Sequence, residues 1–318
     1  DLAIIAKPKE KFTEEEKQVL DQFIMKGGKT LWLVDGTNAE MENLYNETGS
    51  TLVGNNDLNL TDMFFKYGFR INPQMIKDER GTPLKLASGN QGSETQMENY
   101  NWMMAPYIYP ASKHPIVKNM DGVKFEFCSP IELLKSDVKK TILLESSRYS
   151  KIIGTPSVVS LEMIGEETSE RDYINGGFIP VAALLEGSFT SMYNNRVLPF
   201  KDDKFLNKSI PTKMIVISDG DVIKNQLDKG EPIELGYDKY TATYFGNKEF
   251  ILNCVNYLLD DTGLINIRSK DVSLPLLDKQ SVHDSYSQTQ MLTVALPIVI
   301  LGIFGFLFTY LRKKKYNR

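Results

Sequence analysis

Cysteine and histidine are scarce in this sequence, with two of each among 318 residues. Two cysteines are too few for a disulfide framework or for a zinc site built from thiolates. Cys254 falls on an apolar stripe with helical spacing, Phe250 to Leu259, where a cysteine behaves as a small hydrophobic residue. We therefore expect Cys128 and Cys254 to be free, structural thiols.

Several motifs that carry chemistry are also absent. The chain contains neither Gly-x-x-x-x-Gly-Lys-Ser/Thr nor Gly-x-Gly-x-x-Gly, so the sequence does not predict a P-loop ATPase or a dinucleotide-binding site. His-Glu-x-x-His, paired Cys-x-x-Cys and Gly-x-Ser-x-Gly are missing too, which leaves a metal enzyme or a serine hydrolase without support. The sequence predicts a protein without enzymatic activity, metal or cofactor.

A nucleophilic hydrolase is the sharper enzymatic hypothesis, with Cys128 or a serine acting beside His114 or His283. The segment FEFCSPIE around Cys128 lacks the flanking glycine of a nucleophile elbow and has a proline two residues further on. His114 precedes a proline and is typical of a loop. The residues therefore favour a structural role.

Charge is distributed unevenly along the chain. It carries 37 basic and 41 acidic residues, a net charge of −4, but the last eight residues are rich in lysine and arginine and contain no acid. The preceding part is therefore distinctly acidic. Such a domain repels phosphate backbones, which excludes nucleic acid as a partner.

The segment from Met291 to Leu311 is uncharged and apolar throughout. A helix of this length spans about 30 Å, the thickness of a bilayer core. The basic tail at 312–318 follows it, and a polar stalk at 269–290 precedes it. By the positive-inside rule the tail lies in the cytoplasm and the preceding domain lies outside it. Export then requires an upstream signal or helix, so we expect this sequence to be part of a longer chain.

Residues 1–268 have the pattern of an α/β domain. Leu2–Ala6 is a continuous apolar run, Thr13 and Glu16 form a capping box before a helical stripe, and Thr30–Val34 is a second buried run. Strand, helix and strand in this order predict a βαβ unit. Further runs at 142–144, 178–185 and 214–217 predict more strands. The fold class expected is α/β with a layered, mainly parallel, Rossmann-like sheet.

Acidic residues follow two of the predicted strands. Asp35 comes after TLWLV, and Asp219 and Asp221 come after KMIVIS. Ligands of open α/β sheets bind beyond the carboxyl ends of strands, so these acids are candidate ligands for a metal or a polyol. The alternative, which we favour, is that they cap helices and form turns.

Residues 80–112 are polar and then rich in aromatics and methionine, in the run NYNWMMAPYIYP. They predict an irregular excursion from the sheet. Trp102, Met103 and Tyr107 are candidates for a partner-binding surface, because such residues are enriched at interfaces. An equally good account is that they cover one face of the sheet as core.

Several long segments resemble a known family. They include the opening DLAIIAKP, DMFFKYGFRINPQMIKD, ISDGDVIKNQLDKGEPIELGYDK and YFGNKEFILNCVNYLLDDTGLINIRSK. These resemble the gliding-motility-associated ABC transporter proteins of the GldG type from Bacteroidetes, across Asp1 to Lys270. The resemblance implies a non-catalytic accessory subunit in the bacterial inner membrane, with its domain in the periplasm.

The same resemblance implies partners: a separate ABC permease and a separate cytoplasmic ATPase. It also implies a sheet similar to those of glutamine-amidotransferase-like and intraflagellar-transport-like domains, and it provides no catalytic residues to transfer. The alternative function is a sugar- or peptide-binding module that uses the crevice near Asp35 and Asp219.

Overall fold

The computed structural model describes residues 1–92, 94–166, 168–174, 176–260, 262–263 and 286–316. The chain divides into two compact units, Asp1–Ser269 and Lys270–Arg318, each of which is treated by itself. The helices of the first unit are α1 (Glu14–Met25), α2 (Thr61–Tyr67) and α3 (Asn247–Leu259).

Strands make up most of the remaining regular structure of the first unit. They are β1 (Leu2–Ala6), β2 (Lys29–Leu33), β3 (Ser50–Val53), β4 (Phe69–Ile71), β5 (Met75–Asp78), β6 (Gly81–Gln91), β7 (Glu94–Ile108), β8 (Val123–Lys124), β9 (Ile131–Leu133), β10 (Lys139–Glu145), β11 (Ser150–Ile153), β12 (Ser157–Ser160), β13 (Pro180–Gly187), β14 (Thr212–Ile217), β15 (Leu227–Asp228), β16 (Glu231–Pro232), β17 (Tyr237–Asp238) and β18 (Thr243–Tyr244). Short 3₁₀ helices lie at Met41–Leu44, Leu161–Gly165, Glu170–Tyr173 and Asp221–Ile223.

The central sheet has five strands in the order β1-β2-β14-β13-β10. The predicted βαβ unit is present, since β1 and β2 are parallel and α1 connects them. β14 is also parallel to β2, whereas β13 and β10 are antiparallel to their neighbours. The smaller sheets in the described residues are antiparallel as well. The prediction of a mainly parallel, Rossmann-like sheet is therefore wrong, and the fold is mixed α/β.

A connection without a helix explains the reversed strand. Residues 188–211 join β13 to β14 and contain turns but no helix. Parallel neighbours need a crossover, which is usually helical, whereas antiparallel neighbours need none. The apolar run in β13 is buried on both faces, so its hydrophobic pattern is the same as that of a parallel strand.

Side chains alternate between two cores on the two faces of the sheet. Leu31 and Leu33 of β2 pack in a cluster that includes Phe250 and Cys254 of α3. Trp32 of β2 packs in another cluster, to which α1 and α2 contribute. α1 begins at the predicted capping box, in which the Thr13 hydroxyl accepts from the Glu16 amide. The sheet is thus covered on both faces.

Residues 80–112 are more regular than the sequence suggests. β6 and β7 form a long antiparallel ribbon in the order β6-β7-β8. The inner end of β7, from Trp102 to Ala105, is buried, whereas residues 94–99 are exposed. The predicted excursion is therefore present, but it consists of two paired strands.

The second unit contains a long apolar helix. Tyr286–Gln290 is helical, Met291–Ala295 has π-helical hydrogen bonding, and Leu296–Tyr316 is an α-helix. Within the helix Met291–Tyr316, an 18-residue apolar stretch has a mean hydropathy of 2.6 and is not buried within the protein. It is long and apolar enough to span a membrane, in agreement with the prediction for residues 291–311. Most of the predicted stalk, residues 269–285, lies outside the described residues.

Candidate functional site

Three parallel strands end at the same edge of the central sheet. Because β1, β2 and β14 run in the same direction, the residues that follow them come together. Lys7 follows β1, Asp35 lies two residues beyond β2, and Asp219 follows β14 by two residues. The sequence-predicted acids Asp35, Asp219 and Asp221 do meet here, and their carboxylate oxygens lie within 4.8 Å of one another.

Lys7 places its ammonium among these acids, a contact that the sequence analysis missed. Its Nζ lies 2.5 Å from Oδ2 of Asp221, 2.9 Å from Oε2 of Glu40 and 3.8 Å from Oδ2 of Asp35. The side chain is only 12% exposed. A glycine at 220 permits this approach, because a Cβ at that position would lie 2.5 Å from Cγ of Lys7.

Backbone amides hold two of the carboxylates in place. Gly220 donates to Oδ1 of Asp35 at 2.6 Å. Asp219 is fully buried and accepts from the amides of Glu126 at 2.6 Å and Asp221 at 2.7 Å. The acids therefore fasten the turn after β14 to the segment before β9, which is the capping and turn-forming role that the sequence favours.

Burial and mutual repulsion shift the proton affinities of these groups. Burial raises the pKa of Asp35 to about 6, although the Gly220 amide and Lys7 oppose the shift. Burial, followed by the charges of Asp221 and Asp35, raises the pKa of Asp219 well above its usual range. Burial alone would lower the pKa of Lys7, but the attraction of Asp221 and Asp35 outweighs it and raises that pKa.

The cluster therefore contains its own cation. A divalent metal would bind the same oxygens at 2.0–2.6 Å, as is typical of carboxylate ligands. In this structure the Lys7 ammonium already binds Asp221 and Glu40. The arrangement is an ion-pair network that joins the ends of three strands, and a ligand at these carboxylates stays a prediction.

A larger groove opens beside this cluster and shares Asp221 with it. Its volume is about 710 Å³, within the range of pockets that bind small ligands or short peptides. The rim carries tyrosines with large exposed fractions, 62% for Tyr45 and 59% for Tyr240. Trp102 and Thr241 line the groove wall. Nε1 of the tryptophan and Oγ1 of the threonine are buried and have no hydrogen-bonding partner in the described part of the chain.

Charged side chains in the groove wall mostly pair with one another. Lys124 contacts Glu126 at 2.9 Å and Asp238 at 3.2 Å. Lys224 contacts Glu42 at 3.0 Å and Asp221 at 3.3 Å. Each of the four acids that line the groove thus lies within ion-pair distance of a lysine, with two acids sharing each lysine.

The predicted partner-binding residues lie partly in the core. Trp102 and Met103 are 3% and 6% exposed, and Trp102 packs with Phe127 in the third apolar cluster. Tyr107 is half-buried, with its ring 5.4 Å from that of Phe245. The structure thus places Trp102 and Met103 as core, which was the alternative account of this segment.

Cys128, the nucleophile of the hydrolase hypothesis, lies in surroundings that disfavour a reactive thiolate. Cys128 and Cys254 are free and buried, as predicted. Burial raises the pKa of the Cys128 thiol well above its usual range, whereas a nucleophile needs a lowered one. His114 packs against Tyr257 with ring centroids 4.8 Å apart. His283 lies outside the described residues.

The fold and the site define a mixed α/β domain with a strand-end ion-pair network and a lateral groove, followed by a helix that could span a membrane. Residues 1–254 match the family described as an ABC-type uncharacterized transport system, ABC_transp_aux. The chain belongs to this family of ABC transport auxiliary proteins.

Other comparisons add little. A search of curated proteins found no match. Among solved structures, the chain is similar to the "mmIFT52 N-terminal domain", with 13% sequence identity and a TM-score of 0.41. That match covers 82% of this chain and 78% of the other.

Proposed function

We propose that this protein is a non-catalytic, membrane-anchored accessory subunit of a bacterial ABC transport system linked to gliding motility or secretion. The observation that carries the proposal is the match of residues 1–254 to the auxiliary family. Its partners are a permease and a separate cytoplasmic ATPase. The GldG-type resemblance of the sequence supports the link to gliding motility.

The helix from Met291 to Tyr316 anchors the protein in the inner membrane. An apolar surface of this length needs a partner, and a bilayer core provides one. By the positive-inside rule, Arg312 and the three lysines that follow it support a cytoplasmic C-terminus and hence a periplasmic domain of residues 1–268.

The decisive experiment is purification of the tagged protein from native membranes, with its partners identified by mass. We expect a multispanning permease and a nucleotide-binding ATPase. A photocrosslinking residue at Ile303 should capture the permease, whereas the same residue at the exposed loop position Lys201 should not. A complex that contains neither partner would overturn the proposal.

Orientation has its own test, cysteine labelling of spheroplasts with an impermeant maleimide. Lys201, whose side chain is 89% exposed, and Lys314 in the tail are replaced by cysteine one at a time. We expect Lys201→Cys to react at once and Lys314→Cys only after permeabilisation. The buried native thiols serve as the internal control. The reverse order would invert the topology.

The alternative, a sugar- or peptide-binding module, has support at a different place from the one the sequence suggests. The crevice of Asp35 and Asp219 is occupied by protein contacts, whereas the adjacent groove is open and lined by exposed tyrosines. We therefore propose that ligand recognition uses the groove. A thermal shift on adding a ligand tests this, since a ligand at 100 times its Kd adds about 2.7 kcal/mol to the free energy of unfolding.

A further inference from the structure

Four consecutive basic residues follow the apolar stretch of the second unit's helix without a polar spacer. Arg312, Lys313, Lys314 and Lys315, here called the basic belt, are exposed residues of the helix Leu296–Tyr316. At 1.5 Å of rise per residue they occupy only about 5 Å along the helix axis. When the apolar stretch lies in a bilayer core, the belt therefore lies at the level of the lipid headgroups.

The basic belt presents positive charge on every side of the helix. Consecutive residues of an α-helix point in directions about 100° apart, so the four side chains together cover nearly the whole circumference. A neighbouring protein helix contacts one face, and adjacent residues in a helix do not share a face. Such a neighbour can therefore pair with only part of the belt. A layer of lipid headgroups surrounds a membrane helix and can contact all four side chains.

The helix itself supplies no anion for the basic belt. Tyr286–Tyr316 contains neither aspartate nor glutamate, so no carboxylate of this helix can pair with the belt. Nζ of Lys315 lies 6.0 Å from the centre of the Tyr316 ring, a contact that leaves the lysine charged. The phosphate groups of anionic phospholipids lie at the same depth, and clusters of about four or more basic residues beside a membrane helix attract such lipids.

We propose that the basic belt binds the headgroups of anionic phospholipids, so that the helix gathers these lipids around itself in the leaflet at its C-terminal end. This inference rests on the membrane anchoring proposed above and names the lipid class at that anchor. Arg312 can donate two parallel hydrogen bonds to one phosphate, and each lysine acts as a point charge. Zwitterionic lipids bind less strongly, because their own cation compensates the phosphate.

Electron spin resonance of labelled lipids in bilayers that contain the full chain tests this proposal. The chain is reconstituted in phosphatidylcholine with a trace of spin-labelled phosphatidylglycerol or spin-labelled phosphatidylcholine, and the motionally restricted fraction of each label measures its association with the helix. We expect phosphatidylglycerol to associate about fivefold more strongly, the factor that one basic residue near a membrane surface contributes. About 1 M salt should remove most of this preference by screening. Equal association of the two lipids at low salt would overturn the proposal, and so would displacement of the labelled lipid by soluble glycerol phosphate.

Glutamine variants show whether the basic belt is responsible. Replacement of all four residues by glutamine removes the charge and should abolish the preference, while the restricted fraction of phosphatidylcholine shows that the helix is still in the bilayer. Lys201→Gln, at a side chain of the first unit that is 89% exposed, should leave the preference unchanged. Each single glutamine variant of the belt should lose a similar part of it, because lipid contacts all sides. A loss confined to one position, or an unchanged preference in the fourfold variant, would contradict the proposal.

Failure of this inference and failure of the proposed function give different results. If both lipids show a restricted fraction but associate equally, only the lipid proposal falls. If anionic lipid is enriched but neither permease nor ATPase copurifies from native membranes, only the accessory function falls. If no lipid shows a restricted fraction, the helix is not in the bilayer, and the anchoring and the lipid proposal fall together.

Discussion

Lys7 and Asp221 are 214 positions apart in the sequence, yet Nζ of the lysine lies 2.5 Å from Oδ2 of the aspartate. The contact connects the end of the first strand to the turn after β14. Asp35, after β2, lies 3.8 Å from the same ammonium. One lysine therefore links the ends of three neighbouring strands, and its removal tests how much the strand-end network contributes to folding.

Replacement of Lys7 by methionine keeps the length of the side chain but removes its charge. Asp35, Glu40 and Asp221 would then be partly buried without their shared cation. We expect the free energy of unfolding in urea to fall by about 3 kcal/mol, as for other buried ion pairs that lose one partner. Lys9→Met is the matched control, because Lys9 also pairs with Glu40 but is 67% exposed. Its cost should stay below about 1 kcal/mol, and equal losses would contradict the assigned role of Lys7.

Stability should depend on pH through Asp35. Its pKa is raised to about 6 in the folded chain from an ordinary value of 3.8, so the folded state retains the proton over a range in which the unfolded state has lost it. The folded state binds more protons there, and the free energy of unfolding falls as pH rises from about 4 to 6. The difference of roughly two pKa units corresponds to about 3 kcal/mol at most.

Asp35→Asn keeps the acceptor for the Gly220 amide and removes the titration. We expect the decline in stability between pH 4 and pH 7 to become shallower, as measured by urea unfolding at several pH values. Asp203→Asn, at a side chain that is 82% exposed, provides the comparison and should follow the wild type. An unchanged slope in Asp35→Asn would show that another group, such as Asp219, governs this range.

Gly220 is constrained by space, since its backbone lies in an ordinary helical region with φ of −78°. An added Cβ would lie 2.5 Å from Cγ and 2.9 Å from Cα of Lys7. We expect Gly220→Ala to displace Lys7 and to cost about 2 kcal/mol by thermal or urea unfolding, as overpacking does. Gly154→Ala adds a methyl group where no atom lies within 4 Å, and it should change stability by less than about 0.5 kcal/mol.

A charge placed at the middle of the apolar helix should weaken its insertion into the bilayer. Lysine near the centre of a membrane helix costs about 3 kcal/mol on insertion scales. For Ile303→Lys we expect a smaller fraction of the protein to resist carbonate extraction from membranes. Tyr316→Lys, at the end of the helix beside the basic tail, should stay in the membrane fraction. Complete retention of both variants would indicate that this helix does not need a bilayer core.

The five strands of the central sheet were predictable because their apolar runs are visible in the sequence, whereas the short strands of the smaller sheets were not. The apolar runs at Leu2–Ala6 and Met214–Ile217 form strands, although Leu2–Ala6 is an edge strand that is only partly buried. Strand direction was not predictable from these runs, because a strand buried on both faces is apolar whichever way it runs. The turn-rich connection before β14 was the available signal that β13 is antiparallel.

The candidate site was predictable in part. The rule that parallel strands end at a common edge brought Asp35 and Asp219 together correctly. The same rule also holds for Lys7, which directly follows the apolar run of β1. Its use there would have predicted the cation of the cluster. The groove could not be predicted from the sequence, because residues as far apart in the chain as Tyr45, Lys85 and Tyr240 come together only through tertiary packing.

β7 passes from solvent into the protein interior within a single strand. Residues 94–99 are exposed, while Met104 and Ala105 contact the apolar cluster around Met75. Amide hydrogens of the outer half should therefore exchange with deuterium by local opening, and those of the inner half only when the domain unfolds. A single strand therefore contains amides that exchange in two different ways. Slower exchange of the outer amides after a ligand is added would report binding along the ribbon, without any label on the ligand.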